Sequence, residues 1–406
     1  MADIDTTCDI AIVGGGLAGA TMAYALRDLG LRIVVVEAQA FNADAPASYD
    51  ERAIALAYGS RRIFEGLGLW DELHAQCAPI RRIHISDRGH FGVTHLDARD
   101  YDLDALGYVA PHRELGRVVM RGIARCADIA LWCPATVTDI ELRTDDALLT
   151  LQDQRTLRAR LVIAADGGQS PLRKLLDVET TQWRYNQTAI ISTVSTQKSH
   201  DDIAYERFTD QGPLALLPLS QGRMSLVMSV PDHTVADVMA LNDEAFLARV
   251  YERFGGRLGY FTRAAPRRAY PLQMIYAAES SRARLALIGN AVHTLHPIAG
   301  QGFNLGLRDI AALAEVIATA TRAHQDIGQR EILKTYDLWR RNDHRRTIAF
   351  TDGLARLFAN DFAVLSLARN TGLVALQHTP FIKHAVARMT LGAHPRLPRL
   401  ARGLPV

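Results

Sequence analysis

The six residues Gly14-Gly15-Gly16-Leu17-Ala18-Gly19 restrict this chain more tightly than any other segment, because of what flanks them. An apolar run, Asp9 to Val13, leads into them. Ala18 to Leu29 follows with apolar residues at helical spacing, and Arg32 to Glu37 is a second apolar run. Strand, glycine turn, helix and strand make a βαβ unit. Gly14 permits the tight turn, Gly16 lets the backbone approach a pyrophosphate, and Gly19 allows the helix to pack close on the strand. Gly15 and Ala18 complete the turn, and the helix N-terminus presents unpaired N–H groups and a positive dipole end to phosphate. Glu37, at the end of the second run, is placed to accept hydrogen bonds from a ribose diol. Its charge argues against a 2′-phosphate there. The motif alone does not separate NAD from FAD, nor from a glycine-rich turn that binds nothing.

Two further apolar runs end in glycine turns: Leu161 to Ala165, before Asp166-Gly167, and Arg284 to Ile288, before Gly289. One α/β sheet assembled from separate segments is expected. Between them, Ile190 to Val194, Leu214 to Leu219 and Met224 to Val230 read as antiparallel strands, so a second domain is expected inside the first. Apolar positions from Leu307 to Ala318 fall on one face of a helix starting near Asn304. After Thr335 the chain reads as helical nearly to its end. The expected division is residues 1–75, 100–178 and 279–345 for a Rossmann-like nucleotide domain, 76–99 and 179–278 for an antiparallel-sheet substrate domain, and 346–406 for a helical region.

With 406 residues, 48% hydrophobic and 22% charged, the chain can bury a sizeable core. Lys plus Arg number 46 against 44 Asp plus Glu, which excludes binding of nucleic acid through overall charge. The start lacks a basic n-region and long apolar h-region, and no stretch nears the ~18 apolar residues of a membrane span. A cytoplasmic protein, peripheral at most on a membrane, is expected. Cys8, Cys77, Cys126 and Cys133 show no metal-ligand spacing, so reduced structural thiols are expected.

Ala164 to Arg173 and Leu287 to Gly306, together with the first motif, resemble the paired motifs of the para-hydroxybenzoate-hydroxylase-like FAD monooxygenases. Arg52 to Leu56, Gly212 to Leu219 and His296 to Asp309 are similar to the ubiquinone-pathway hydroxylases, in particular the 2-octaprenyl-6-methoxyphenol hydroxylase branch. The resemblance runs to about Arg346. Asn290 stands where most of the superfamily has Asp reaching a ribityl hydroxyl; an amide can make the same bond without charge.

The resemblance implies FAD bound by the fingerprint, Glu37, Asp166, Gly167 and Asn290, with the Gly300-Gln301-Gly302-Phe303-Asn304 loop beside the isoalloxazine ring. Donors at a helix N-terminus suit the negative charge of a reduced flavin. It places Arg52 at the flavin edge facing substrate, the alternative being an ion pair with Asp50 or Glu51. It places Arg113 near the FAD phosphates or adenine, Val137 as a backbone contact to adenine, and Pro297 as a rigid boundary of the pocket, or simply a turn residue. His293 and His296 either relay protons or serve as packed structural histidines. The implied reaction uses NAD(P)H as a transient co-substrate and O2, through a flavin C4a-hydroperoxide, to hydroxylate a polyprenyl phenol, with no essential metal. A sister enzyme attacking another ring position, a monooxygenase of a small soluble phenol, and a non-catalytic subunit of a biosynthetic assembly are the other readings. A complex of pathway proteins or a homo-oligomer is compatible with each. Beyond Asp361 the chain carries no acidic residue, while Arg396, Arg399 and Arg402 stand among apolar residues such as Leu373, Phe381 and Ile382. This end lies on an anionic membrane surface or packs on protein.

Overall fold

Strand Asp5–Val13 runs parallel to Ile33–Val36 on one side and to Thr156–Ala164 on the other, and Leu285–Leu287 runs parallel to Thr156–Ala164. The computed structural model describes residues 5–40, 52–358, 363–392 and 396–406. The glycine-ended runs of the sequence are therefore neighbours in one eight-stranded sheet. Ile10, Ile12, Ile33, Val35, Leu161 and Ile163 pack on one face with Met22, Leu26 and the helix residues Leu307 to Ile317. Ala11, Val34, Val36 and Val162 pack on the other with Ile140, Leu149 and Leu151 of a hairpin. Burial on both faces is why these strands read as continuous apolar runs.

The second sheet has nine strands around the long strand Thr180–Thr196, which pairs antiparallel with Arg223–Pro231 and Arg268–Ala277. Leu214–Pro218 and Ile203–Phe208 continue it, followed by Arg82–Asp87 and Val93–Asp97. Residues 82–97 thus join the otherwise antiparallel sheet across a long sequence gap, through a parallel pairing of Arg82–Asp87 with Ile203–Phe208. Ala78–Ile80, in the same expected segment, instead pairs with Gly107–Pro111, itself beside Ala53–Ala57. His293–Thr294 crosses the other way and pairs with Arg268–Ala277. Strands this short carry no alternation from which a partner could be read.

Helix Gln301–Arg322 starts three residues earlier than expected, so most of the glycine loop is its first turn. Helix Arg330–Phe358 is continuous, and the division expected at 345/346 falls inside it, because nothing there breaks helical geometry. Helices Ala363–His378 and Pro380–Leu391 follow, the last ended by Gly392 at φ 77°. Beyond it the chain is not a long helix. Leu400 and Ala401 are buried in the core of the first sheet, and Arg399 N–H donates to the Glu315 carboxylate.

Candidate functional site

At the first glycine turn each glycine answers to a different neighbour. Gly14 has φ +102°, and a Cβ on it would lie 2.5 Å from the Ala165 carbonyl oxygen. One on Gly19 would lie 1.8 Å from the Gly14 carbonyl oxygen, so helix Leu17–Ala25 meets its strand only if residue 19 is Gly. A Cβ on Gly16 would meet nothing within 4 Å: that glycine faces open space. Glu37 turns back onto the turn, accepting from Gly15 N–H at 2.6 Å and Gln39 N–H at 2.8 Å. Val137 is buried close by, among Val13, Val36 and Ala135.

Asp166 accepts from Leu172 N–H at 3.0 Å through one oxygen, while the other is buried with no partner. Burial raises its pKa, against the pull of Ser170, Leu172 and Arg173. Gly167 beside it, at φ +85°, again faces open space. An orphaned carboxylate oxygen and open glycine surfaces at the turns fit a polar dinucleotide lying across these strand ends. The residues present suit FAD.

The other wall of that space is the segment from Pro297 to Asn304. Ala299 and Gly300 are both left-handed, at φ 56° and 59°, and the helix begins directly after them. Left-handed backbone in a residue with a Cβ costs about 1 kcal/mol and persists only where the surroundings dictate it. Asn304 does much of that dictating. Its side-chain amide donates to the Ala55 and Gly300 carbonyls at 2.8 and 2.6 Å and accepts from Ala57 N–H and the Ser60 hydroxyl at 2.8 and 2.6 Å. The side chain expected to touch cofactor is thus spent on protein, locking strand Ala53–Ala57 to the helix. What the first turn offers a ligand is backbone N–H groups.

These walls enclose a cavity of about 800 Å³, lined by Gly16, Ala18, Gly167, Asn290, Pro297, Gly300 to Asn304, and Arg52. The Arg52 guanidinium sits 5.9 Å from the Tyr270 ring; Asp50 and Glu51, its alternative partners, lie outside the described residues. Away from the glycines the wall turns aliphatic, formed by the nine-stranded sheet and by Phe350, Leu354, Leu373, Leu376, Val386 and Leu391 of the C-terminal helices.

Glu37, Val137 and Asp166 lie beside the turns but not on the cavity wall, and Arg113, His293 and His296 are off it too. Arg113 is not on the cavity wall; it reaches Glu114 at 3.1 Å from the first turn of helix His112–Ile123. His293 has no exposed surface, and its Nε2 meets Asp309 at 2.6 Å, so it does not touch the space where a flavin or substrate would react. His296 is buried against Tyr185, and burial pushes its pKa down to about 4 despite Asp352. It is a neutral packed histidine.

Asp309, in the sequence only the end of a motif stretch, is the centre of a buried polar cluster. Its carboxylate accepts from Gly289 N–H at 3.2 Å and Arg340 Nε at 2.8 Å, and meets His293 and His344 at 2.6 and 2.7 Å. Burial alone would raise its pKa, but His344, His293 and Arg340 hold it well below the ordinary range. His293, Asp309 and His344 have the spacing of metal ligands, yet Arg340 already supplies a cation to that carboxylate. The cluster fixes the Gly289 turn against helix Gln301–Arg322. Its signal in the sequence was an acid at an otherwise apolar helical position.

Residues 7–351 match the family model described as FAD binding domain. Ubiquinone hydroxylase UbiL of Rhodospirillum rubrum is 38% identical over 99% of this chain and 94% of its own length. The 3-demethoxyubiquinol 3-hydroxylase of Escherichia coli is 31% identical over 95% of this chain and 98% of its own. Among solved structures, p-nitrophenol 4-monooxygenase of Pseudomonas putida superposes with a TM-score of 0.78 at 18% identity, covering 96% of this chain and all of that one. A Klebsiella pneumoniae protein solved with FAD and uric acid gives 0.74 at 20% identity over 94% and 97% of the two chains, which at that identity speaks to fold alone. The glycine turns, the open space between them and these relatives lead to one statement: the chain belongs to the family of FAD-dependent monooxygenases that includes the ubiquinone hydroxylases.

Proposed function

We propose that this enzyme hydroxylates the ring of a polyprenyl phenol on the route to ubiquinone, using NAD(P)H and O2. The observation that carries the reading is the two-part cavity, with glycine turns and backbone donors at one end and an aliphatic wall at the other. FAD, reduced by NAD(P)H, supplies the activated oxygen. The chain's own work is to bind, orient and exclude water. The free N–H groups at the start of helix Gln301–Arg322 stabilise negative charge at the flavin end. Pro297 and Arg52 bound the reacting space, and Asn290 and Asp166 offer polar atoms to the cofactor. Leu373, Leu376 and Val386 give a prenyl tail apolar surface, worth ~25 cal/mol per Å² buried.

No helix among the described residues is long and apolar enough to cross a membrane. Leu367, Phe381 and Ile382 stand exposed on the same C-terminal helices that line the aliphatic end of the cavity. That surface, rather than the packed tail bearing Arg396, Arg399 and Arg402, suits contact with the bilayer holding such a substrate. Deleting the protein from its host tests the reading: a lipid-extractable prenyl phenol lacking one ring hydroxyl should accumulate. Unchanged quinone with no such intermediate would reject it.

A further inference from the structure

One cross-strand row of the nine-stranded sheet reads Ile191, Val227, Ala215, Glu206, Ile85, each paired with the next, and all five line the cavity. Four of these are aliphatic, as a sheet face over an apolar space requires. The fourth in order is a carboxylic acid. Among the described residues no hydrogen bond or ion pair reaches it, and what surface it exposes faces the cavity. An ionisable group set without a partner in a half-buried apolar row carries a cost that packing does not repay.

We propose that the Glu206 carboxylate is the base that takes the proton from the ring hydroxyl of the substrate. The proposal rests on reading this cavity as the site of ring hydroxylation. In that reaction the phenolic O–H bond breaks and a carboxyl O–H bond forms. The electron pair left on the phenolic oxygen feeds the ring carbon that bonds one oxygen atom of O2. That carbon then loses its hydrogen as a proton to the departing second oxygen atom, aromaticity returns, and Glu206 gives its proton back to the phenolic oxygen. The second oxygen atom leaves as water, with the two electrons drawn from NAD(P)H.

The surroundings suit the task. Burial pushes the Glu206 pKa up to about 7, and no charged side chain opposes it. A base so placed is ionised just above neutrality and strong enough to draw on a phenol. The other ionisable groups on the cavity wall are Arg52, His112 and Tyr205. Of the neighbouring charges, Arg207, donating to Ser86, and His84, meeting His95, sit on the sheet's far face, while Asp87 shares the face of Glu206 and is engaged there by Arg369 and Asn370, from which it accepts. Glu206 also marks where the polar end of an amphipathic substrate belongs, leaving the tail to the aliphatic helices.

The test is single-turnover hydroxylation by the FAD holoenzyme of a short-chain prenyl phenol and of its polyfluorinated counterpart, whose hydroxyl is already ionised at the assay pH. The wild-type rate should rise between about pH 6 and about pH 8. Glu206→Gln should keep FAD and its reduction by NAD(P)H, lose that rise, and slow by about 100-fold on the unfluorinated phenol. Its deficit should nearly vanish on the fluorinated one, which needs no base. Glu206→Asp should keep the rise at a lower rate. A Gln variant with the wild-type profile, or one equally slow on both phenols, overturns the proposal. Should Glu206→Gln fail to fold, a flat wild-type profile overturns it and a rise shared by the Asp variant supports it. Wild-type protein that is reduced normally yet hydroxylates no phenol would instead overturn the underlying functional reading.

Discussion

Gly16 and Gly19 stand one helical turn apart, and the structure demands opposite things of them. Gly19 has no room for a Cβ and Gly16 has nothing but room. Gly16→Val should therefore fold with a near wild-type melting temperature but bind no FAD, whereas Gly19→Ala should lose stability outright. Visible absorbance after FAD reconstitution, read beside a thermal melt, separates the two; equal melting of both variants would contradict these roles. Arg52→Ala should keep FAD, form less hydroxylated product and release more peroxide per NAD(P)H, and wild-type coupling would remove Arg52 from the reacting edge. The glycine roles were legible in sequence because they are local demands of backbone geometry. The place of His293 was not, because Asp309, which also holds Arg340 and His344, reaches it only through folding. Glu206 was missed because the strand Ile203–Phe208 is short and laced with polar residues.

At the scale of elements, the site depends on helix Gln301–Arg322 being pinned at its start by Asn304 and farther along by Asp309. Asn304→Ala removes four hydrogen bonds and leaves the Ala57 N–H and the Ala55 carbonyl without their partner. It should cost about 1–3 kcal/mol and weaken FAD affinity, measured by denaturant unfolding and flavin titration. Asp309→Ala leaves buried Arg340 with Asp343 alone, takes the carboxylate from His293 and His344, and should cost about 3–5 kcal/mol, more than any change at the cavity wall. A loss below that of Asn304→Ala would show the cluster to be incidental. The parallel strands and this helix were readable from periodicity, since each buries a continuous apolar face. The end of the chain stayed open between a membrane surface and packing on protein for the opposite reason. Its arginines suggested a surface, but Leu400 and Ala401 between them are core residues, a fact set by a distant partner, the helix Tyr58–Gly66.

Over the whole molecule, among the described residues, burial lowers the pKa of four histidines: His84, His296 and His344 are each pushed from 6.5 down to about 4, and His95 moves the same way. Between those values the unfolded chain binds more protons than the native one, so stability falls as pH drops through that window. Glu206 acts oppositely, since its raised pKa makes the native state hold the extra proton and lose stability as pH rises from 4.5 to about 7. These four histidines outweigh Glu206 and the likewise raised Asp166 and predict a melting temperature that climbs from about pH 4 to about pH 6.5, and climbs more steeply in Glu206→Gln. A variant no steeper than wild type would place the Glu206 carboxyl in water.

The same molecule encloses a polar, glycine-walled end and an aliphatic end in one cavity, and the proposed function requires O2 to be split there with one atom entering a phenolic ring. The direct measurement supplies isotopically labelled O2 to the FAD holoenzyme with NAD(P)H and a short-chain prenyl phenol, and weighs the product. One labelled oxygen per product molecule, formed with one NAD(P)H consumed, is the predicted result. Label absent from the product, or NAD(P)H consumed with only peroxide formed, would contradict it.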